Sequence, residues 1–137
     1  MKKYLIVSIV TLIIALGLVY YSVLRHHEIQ GIEILSPNGG ETWSKGQKVK
    51  ILWRSAKEIK SVNIRLSVSG SEDSQNFSAA VASDIPNTGD YEWTVQELYA
   101  EVLGIKALPA SDRYLVTIES NEHNNIYDMS DAAFSIR

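Results

Sequence analysis

Four aromatic residues of this 137-residue sequence could together form a platform on which sugars stack: Trp43, Trp53, Tyr91 and Trp93. Aromatic rings can stack on the C–H faces of sugars, but they also dominate apolar burial in small cores. Trp53, Tyr91 and Trp93 lie on the apolar faces of alternating segments, which predicts that these three belong to the core. Trp43 lies beside a turn, so it remains a candidate for binding a ligand or a partner.

Four residues near the C-terminus have side-chain oxygens of the kind that bind calcium: Glu119, Asn121, Asp128 and Asp131. Their spacing does not match an EF-hand loop. Aspartate and asparagine at turns more often hydrogen-bond to nearby backbone. We therefore expect no metal site and no cofactor, and these four residues are the ones to examine for calcium.

The sequence lacks the common catalytic motifs. No Gly-x-Ser-x-Gly, His-Glu-x-x-His or phosphate-loop pattern occurs, and His123 is the only histidine after position 27. The absence of cysteine excludes zinc-thiolate, iron–sulfur and thiol chemistry. Carboxylates pair in space rather than in sequence, so a small envelope enzyme stays open as an alternative. We expect a protein that is not an enzyme.

Alternation of apolar and polar residues predicts the elements that position these side chains. Turn signals rich in Gly, Pro, Asn and Ser separate the alternating segments, as is typical of half-buried strands. The segments are 31–35, 48–54, 62–68, 77–83, 91–95, 113–119 and 132–136. Their number and spacing predict an all-β fold, an immunoglobulin-like antiparallel β-sandwich of about seven strands.

Residues 96–106 interrupt this alternation and are rich in helix-forming types. Leu98 and Val102 are four residues apart, as are Tyr99 and Leu103, which is the spacing of side chains that meet on one helix face. We expect a short helical insertion here. It either covers one open end of the sandwich or presents these four apolar side chains to a partner.

The N-terminal part of the chain differs from the rest in composition. The residues from Leu5 to Leu24 carry no charge, and as a helix they would span about 30 Å, the thickness of a bilayer's hydrocarbon core. Lys2 and Lys3 precede this run and Arg25 follows it, so we expect a cytoplasmic N-terminus. A signal peptide has a shorter apolar run before its cleavage site. We expect an uncleaved, single-pass anchor in the cell membrane, and a secreted protein after signal-peptide cleavage is the alternative.

These features divide the chain into an anchor and tether over residues 1–27 and an extracytoplasmic domain over residues 28–137. Three of the 13 basic residues and none of the 16 acidic residues precede position 28, so the second part has a net charge of −6. An acidic exterior without a basic cluster excludes nucleic acid as a partner. The lipid bilayer, contacted through the apolar run, is the partner that the sequence predicts.

Five motifs resemble those of a known family. The longest is Ser36-Pro37-Asn38-Gly39-Gly40-Glu41-Thr42-Trp43, and the others are Val49-x-Ile51-x-Trp53, Gly89-x-Tyr91-x-Trp93-Thr94-Val95, Tyr114-x-Val116-x-Ile118 and Ser130-Asp131-x-x-Phe134-x-Ile136. Over residues 31–137 the sequence resembles the Ser-Thr-rich GPI-anchored membrane family, which is related to the N-terminal domain of yeast cell-wall glucan-synthesis proteins. The resemblance implies an extracellular immunoglobulin-like domain on a cell-surface protein, with no catalytic residues to carry over.

Three features depart from that family's pattern. No Ser/Thr-rich stalk and no hydrophobic tail for GPI attachment follow the last strand, and residues 96–106 look inserted. We therefore expect the N-terminal helix to anchor a prokaryotic surface protein. The sequence predicts a membrane-anchored binding or structural module that acts in adhesion, envelope organisation or scaffolding, with a cell-envelope polysaccharide or a surface protein as its partner. The alternatives are a carbohydrate-binding module of the envelope and a small envelope enzyme.

Overall fold

The computed structural model describes residues 13–16, 30–68, 77–100 and 105–137. Ile13 to Leu16 are helical. The rest of the predicted anchor, Leu5 to Leu24, lies outside the described residues. Within the described ranges, no helix is long and apolar enough to cross a membrane.

Beyond the N-terminal segment, the described residues form eleven β-strands in two sheets. The strands are β1 (Ile32–Ser36), β2 (Thr42–Trp43), β3 (Lys48–Ser55), β4 (Ser61–Val68), β5 (Ser78–Pro86), β6 (Asp90–Thr94), β7 (Leu98–Ala100), β8 (Ile105–Ala107), β9 (Ser111–Ser120), β10 (Tyr127–Met129) and β11 (Phe134–Ile136). The smaller sheet has the order β1-β3-β6. The larger sheet has the order β2-β11-β9-β4-β5-β7-β8, and β10 also pairs with β9. The prediction of an all-β sandwich is confirmed, and each of the seven predicted segments contains a strand.

The core lies between the two sheets and is built from alternate residues of their strands. In β3, Val49, Ile51 and Trp53 are buried, whereas Lys48 and Lys50 are exposed. In β4 and β9 the buried apolar residues are Val62, Ile64, Leu66, Tyr114, Val116 and Ile118. Because a shift of one residue would turn every apolar side chain outward, this burial also fixes the strand register.

The first strand of the sandwich is divided between the two sheets. β1 pairs with β3 in the smaller sheet, and β2 pairs in parallel with β11 in the larger sheet. The connection between them includes a cis peptide bond before Pro37, and Gly39 within it has φ +129°. A Cβ at Gly39 would lie 2.5 Å from the Cβ of Ala132, so only glycine fits there. The chain thereby crosses from one sheet to the other at one edge of the sandwich.

Tyr114, near the start of β9, ties this strand to the segment that precedes it. Its ring is buried and packs edge to face on Phe77, with 6.0 Å between the ring centroids. The hydroxyl donates a hydrogen bond of 2.6 Å to the carbonyl oxygen of Pro109. Burial raises the pKa of Tyr114, so the hydroxyl stays protonated as the donor. This contact is the tyrosine corner of immunoglobulin-like sandwiches.

The prediction of a helical insertion over residues 96–106 is wrong for the part that the structure describes. β7 and β8 form an antiparallel hairpin there, and Ala100 of β7 pairs with Ala79 of β5. Differences in helix propensity amount to only a few tenths of a kcal/mol per residue. The unpaired backbone groups along the edge of β5 offer hydrogen bonds that a helix at this position would leave unused. The segment therefore extends the larger sheet.

Candidate functional surface

Trp43, the first binding candidate, lies in the core with 7% of its surface exposed. Its ring centroid lies 4.7 Å from that of Phe134 and 6.1 Å from that of Trp93. Trp53 and Trp93 are buried as well, and Tyr91 packs against the core, in agreement with their alternating positions. None of the three tryptophans presents an open ring face to a ligand.

The candidates in the 96–106 segment differ from one another. Leu98 is 8% exposed and belongs to the core, whereas Tyr99 is 61% exposed. Val102 and Leu103 lie outside the described residues. Tyr99 is therefore the one candidate of this segment whose side chain the structure shows open to solvent.

Asp131, one of the calcium candidates, joins the longest motif to the last one. The Asn38 side chain donates to Asp131 Oδ2 at 2.9 Å, and it accepts a hydrogen bond of 2.7 Å from the backbone N–H of Asp131. The Glu41 carboxylate accepts from the backbone N–H groups of Asn38 and Gly39, both at 2.8 Å. These contacts hold the connection between β1 and β2 against the chain before β11. The most distinctive motif thus stabilises the crossing between the sheets.

Asp128 also has a structural contact. Its Oδ2 accepts a hydrogen bond of 2.7 Å from the backbone N–H of Ile34, which joins β10 to β1 across the two sheets. Asp128 pairs with the buried Ile118, so it points inward, and its neighbours Tyr127 and Met129 point outward. This strand reverses the usual pattern, since its polar residue faces the interior and its apolar residues face solvent.

The other two calcium candidates lie elsewhere. Asn121 donates to Asp84 Oδ1 at 2.8 Å and accepts from the side chain of Asn63 at 3.2 Å. Glu119 faces outward and makes no side-chain hydrogen bond within the described part of the chain. Among the described residues, no group of three His, Asp or Glu side chains is arranged to hold a metal ion.

Glu122 is a structural carboxylate that sequence reasoning missed. It accepts hydrogen bonds from the backbone N–H of Ser61 at 3.0 Å and from the hydroxyl of the buried Ser120 at 3.2 Å. Desolvation acts to raise the pKa of Glu122, but hydrogen bonds from its own backbone, Ser120, Ser61 and the backbone of Lys60 outweigh it and lower the pKa. Glu122 therefore ties the turn after β9 to the start of β4.

Tyr99 and Tyr127 are the exposed aromatic residues of the described chain, at 61% and 60%. Both lie on the outer face of the larger sheet, because their neighbours Leu98 and Asp128 point inward. Across β10, β9 and β4, Tyr127 pairs with Glu119, and Glu119 pairs with Asn63. This row therefore begins with an exposed ring and continues with two polar side chains.

The neighbouring row of paired residues extends across the strands from β10 to β7. Met129 pairs with Thr117, Thr117 with Arg65, and Arg65 with Ala80. One step beyond the Ala79–Ala100 pair, the antiparallel register places Tyr99 opposite Ala80. Four strand spacings, about 19 Å in all, separate β10 from β7, and Tyr127 lies one row away from Tyr99, so the two tyrosines are at least about 19 Å apart. We name this surface the tyrosine face, and it comprises Tyr99, Tyr127, Met129, Asn63, Arg65, Thr117 and Glu119.

The divided first strand, the two facing sheets and the tyrosine corner define an immunoglobulin-like β-sandwich. The model of one protein family, the Kre9/KNH-like N-terminal Ig-like domain, matches residues 36–136. The chain belongs to this family. Searches of curated proteins and of solved structures found no match. The match begins at the first residue of the longest motif and ends at the last residue of the final one, so the two motifs that contact each other delimit it.

Proposed function

We propose that this chain is a non-catalytic module of the cell envelope, held on the outer side of the membrane by its N-terminal anchor. It contributes binding or structural organisation there. The observation that carries the proposal is the family match over residues 36–136, because the Kre9/KNH family is linked to cell-wall glucan assembly. The family link supports an extracellular or surface location, and the apolar run from Leu5 to Leu24 supports attachment to the membrane.

The chemistry of the described residues supports a role without catalysis. Burial raises the pKa of Tyr114, and despite desolvation hydrogen bonds lower the pKa of Glu122; both groups serve the fold. His123 lies in an exposed turn, where its backbone N–H donates to Ser120 Oγ and its carbonyl accepts from the N–H of Ile126. Active sites usually gather titratable groups with shifted pKa values, whereas Tyr114 and Glu122 lie near opposite ends of β9 in separate structural contacts. Their placement favours a binding or structural module.

The absence of cysteine makes the topology directly testable. Two single-cysteine variants of the full chain, Lys3→Cys in the N-terminal segment and Glu58→Cys at an exposed turn, would be treated with a membrane-impermeant maleimide on spheroplasts. We expect labelling of Glu58→Cys on intact spheroplasts and labelling of Lys3→Cys only after lysis. Labelling of Lys3→Cys alone on intact spheroplasts, or of neither variant before lysis, would overturn the proposed location.

Complementation tests the absence of catalysis. Cells that lack the chain should show altered sensitivity to wall-directed stress, and a chain with His123→Ala should restore the original sensitivity fully. The matched control is Phe134→Ala, a core variant that should fail to complement because it unfolds the domain. If His123→Ala were present at the normal level on the surface and yet failed to complement, the envelope-enzyme alternative would replace this proposal.

A further inference from the structure

We propose that the tyrosine face binds a neutral polysaccharide, with Tyr99 and Tyr127 stacking on sugar rings at its two ends. The proposal rests on the envelope location above and adds the chemical class of the ligand. Within the described residues, the exposed aromatic rings are confined to this one face of the sandwich. Its polar side chains lie between the two rings.

The first argument is the exposure of the two rings. The structural contact of Asp128 with Ile34 requires the neighbours of Asp128 to point outward, but it does not require them to be apolar. A polar residue in place of Tyr127 would satisfy the fold at a lower cost of exposed apolar surface. A ring that is open to solvent and that the fold does not need is available to a ligand, and the C–H face of a pyranose is a suitable partner for it.

The second argument is the separation of the two rings. At least about 19 Å lies between Tyr127 and Tyr99 across the strands, which is too far for one small sugar to contact both. The ligand must therefore be extended and must repeat the same chemistry along its length. A polysaccharide chain lying across the strands meets this condition.

The third argument is the polarity of the surface between the rings. Asn63 accepts from the backbone N–H of Asp84 at 2.8 Å and donates to Asn121 at 3.2 Å, so its amide is held in a fixed orientation. Thr117 and Glu119 stand beside it with oxygens that accept hydrogen bonds from hydroxyl groups. The centre of a protein–protein interface is usually apolar, so this polar centre favours a polyhydroxylated ligand over a second copy of the chain.

The fourth argument is charge. Residues 28–137 have a net charge of −6, and Glu119 lies beside Tyr127 on the tyrosine face. The nearby basic residues are Arg65, which is half-buried and donates to Ser78 Oγ at 3.3 Å, and Lys106, which pairs with Tyr99. The domain as a whole therefore repels a polyanionic polysaccharide, and the one acid and the one base of the tyrosine face offset each other, so the ligand should be uncharged.

Affinity electrophoresis of the full chain in native gels tests the proposal. The chain would be kept in a polyoxyethylene detergent, because detergents with sugar headgroups would compete for the site. The probes are laminarin, xyloglucan and galactomannan as neutral polymers, and polygalacturonate as a polyanion. We expect retardation by at least one neutral polymer and none by polygalacturonate. Tyr99→Ala and Tyr127→Ala should each raise the Kd about 10-fold, and Tyr127→Phe, which keeps the ring, should raise it less than about 3-fold.

The control is Leu35→Ala, which removes an exposed apolar side chain, 44% exposed, from β1 of the other sheet and should leave the Kd unchanged. Retardation by polygalacturonate alone, no retardation by any neutral polymer, or unchanged retardation of the Tyr99→Ala/Tyr127→Ala double variant would overturn the proposal. So would dissociation of a dimer in the double variant, measured by sedimentation, because a second copy would then occupy the face. The maleimide experiment is independent, so a negative result here with correct topology would remove the ligand and keep the envelope location.

Discussion

The two outer faces of the sandwich show how differently a β-sheet can meet solvent. On the smaller sheet, opposite charges cross neighbouring strands in the pairs Lys48–Glu92, Lys50–Asp90 and Arg54–Glu33, at 3.4, 3.4 and 2.8 Å. These side chains are largely exposed and satisfy one another. The larger sheet instead presents two open rings with polar groups between them. The charged side chains of the first face pair with one another, whereas the second face exposes the rings that we propose bind a ligand.

The family motifs contribute little to either outer face. Their apolar residues fill the core, and their turn residues join the connection between β1 and β2 to the chain before β11. The Trp53 motif also contacts the Gly89 motif, since the backbone N–H of Trp53 donates to the carbonyl oxygen of Gly89 at 3.0 Å. The family match therefore identifies the fold, and the ligand must be inferred from side chains outside the motifs, such as Tyr99 and Tyr127.

The largest predicted effect on the free energy of unfolding distinguishes a ring of the core from a ring of the tyrosine face. Phe134→Ala should lower the free energy of unfolding by about 3–5 kcal/mol, because it removes a buried ring that packs on Trp43 and Tyr114. Tyr127→Ala should change it by less than about 0.5 kcal/mol, because that ring is exposed. Urea unfolding of both variants, followed by tryptophan fluorescence, provides the measurement. A loss of more than about 2 kcal/mol in Tyr127→Ala would assign that ring to the fold and remove the contrast.

The next effect concerns the crossing between the sheets. Gly39→Ala should cost about 1–3 kcal/mol, because it adds a contact with the Ala132 Cβ to the strain of a positive φ. Gly46→Ala is the matched control, since Gly46 also has a positive φ but open space at its Cβ, and it should cost less. Adding Ala132→Gly should recover part of the loss at Gly39 and none of the loss at Gly46. Equal losses in the two glycine variants would show that the contact with Ala132 has no energetic role.

A smaller effect compares two tyrosine hydroxyls. Tyr114→Phe should cost about 1–3 kcal/mol, because it leaves the Pro109 carbonyl without its 2.6 Å hydrogen bond. Tyr127→Phe removes an exposed hydroxyl and should leave the midpoint of thermal unfolding unchanged. Differential scanning fluorimetry of the two variants measures both. Equal midpoints would mean that water replaces the tyrosine-corner contact without loss.

The sequence was sufficient to predict the main strands, because half-buried strands alternate with a period of two and this sandwich buries one face of each sheet. It was not sufficient for residues 96–106. Leu98 and Val102 are four residues apart and fit one face of a helix. In a strand, however, the neighbours Leu98 and Tyr99 would point to opposite faces, and the sequence fits that arrangement equally well. The unpaired edge of β5 decided between them, and a partner strand whose Ala79 lies 21 residues before Ala100 leaves no local signal.

The tyrosine face was partly accessible from sequence. Tyr99 was a candidate because the segment around it looked inserted. Tyr127 was not, because it stands alone after a polar loop and its direction depends on the pairing of Asp128 with Ile118. The available signal was the apolar-polar-apolar run of Tyr127, Asp128 and Met129, but the pairing of Asp128 with Ile118 and its contact with Ile34 are needed to show that the polar residue faces inward.

The smallest effect is the pH dependence that Glu122 imposes at the polar end of the larger sheet. Because its pKa is lower in the folded chain than in the unfolded chain, the carboxylate stabilises the fold above its unfolded pKa. That stability is lost as the pH falls through the folded pKa. Glu122→Gln should therefore flatten the acid side of the stability curve and leave its neutral slope unchanged, as measured by urea unfolding at a series of pH values. The same variant should bind the neutral polymers as before, because Glu122 accepts its hydrogen bonds from Ser61 and Ser120 at the end of the strands. An unaltered acid slope would show that the turn holds without this carboxylate, and weakened binding would extend the tyrosine face to that end of the sheet.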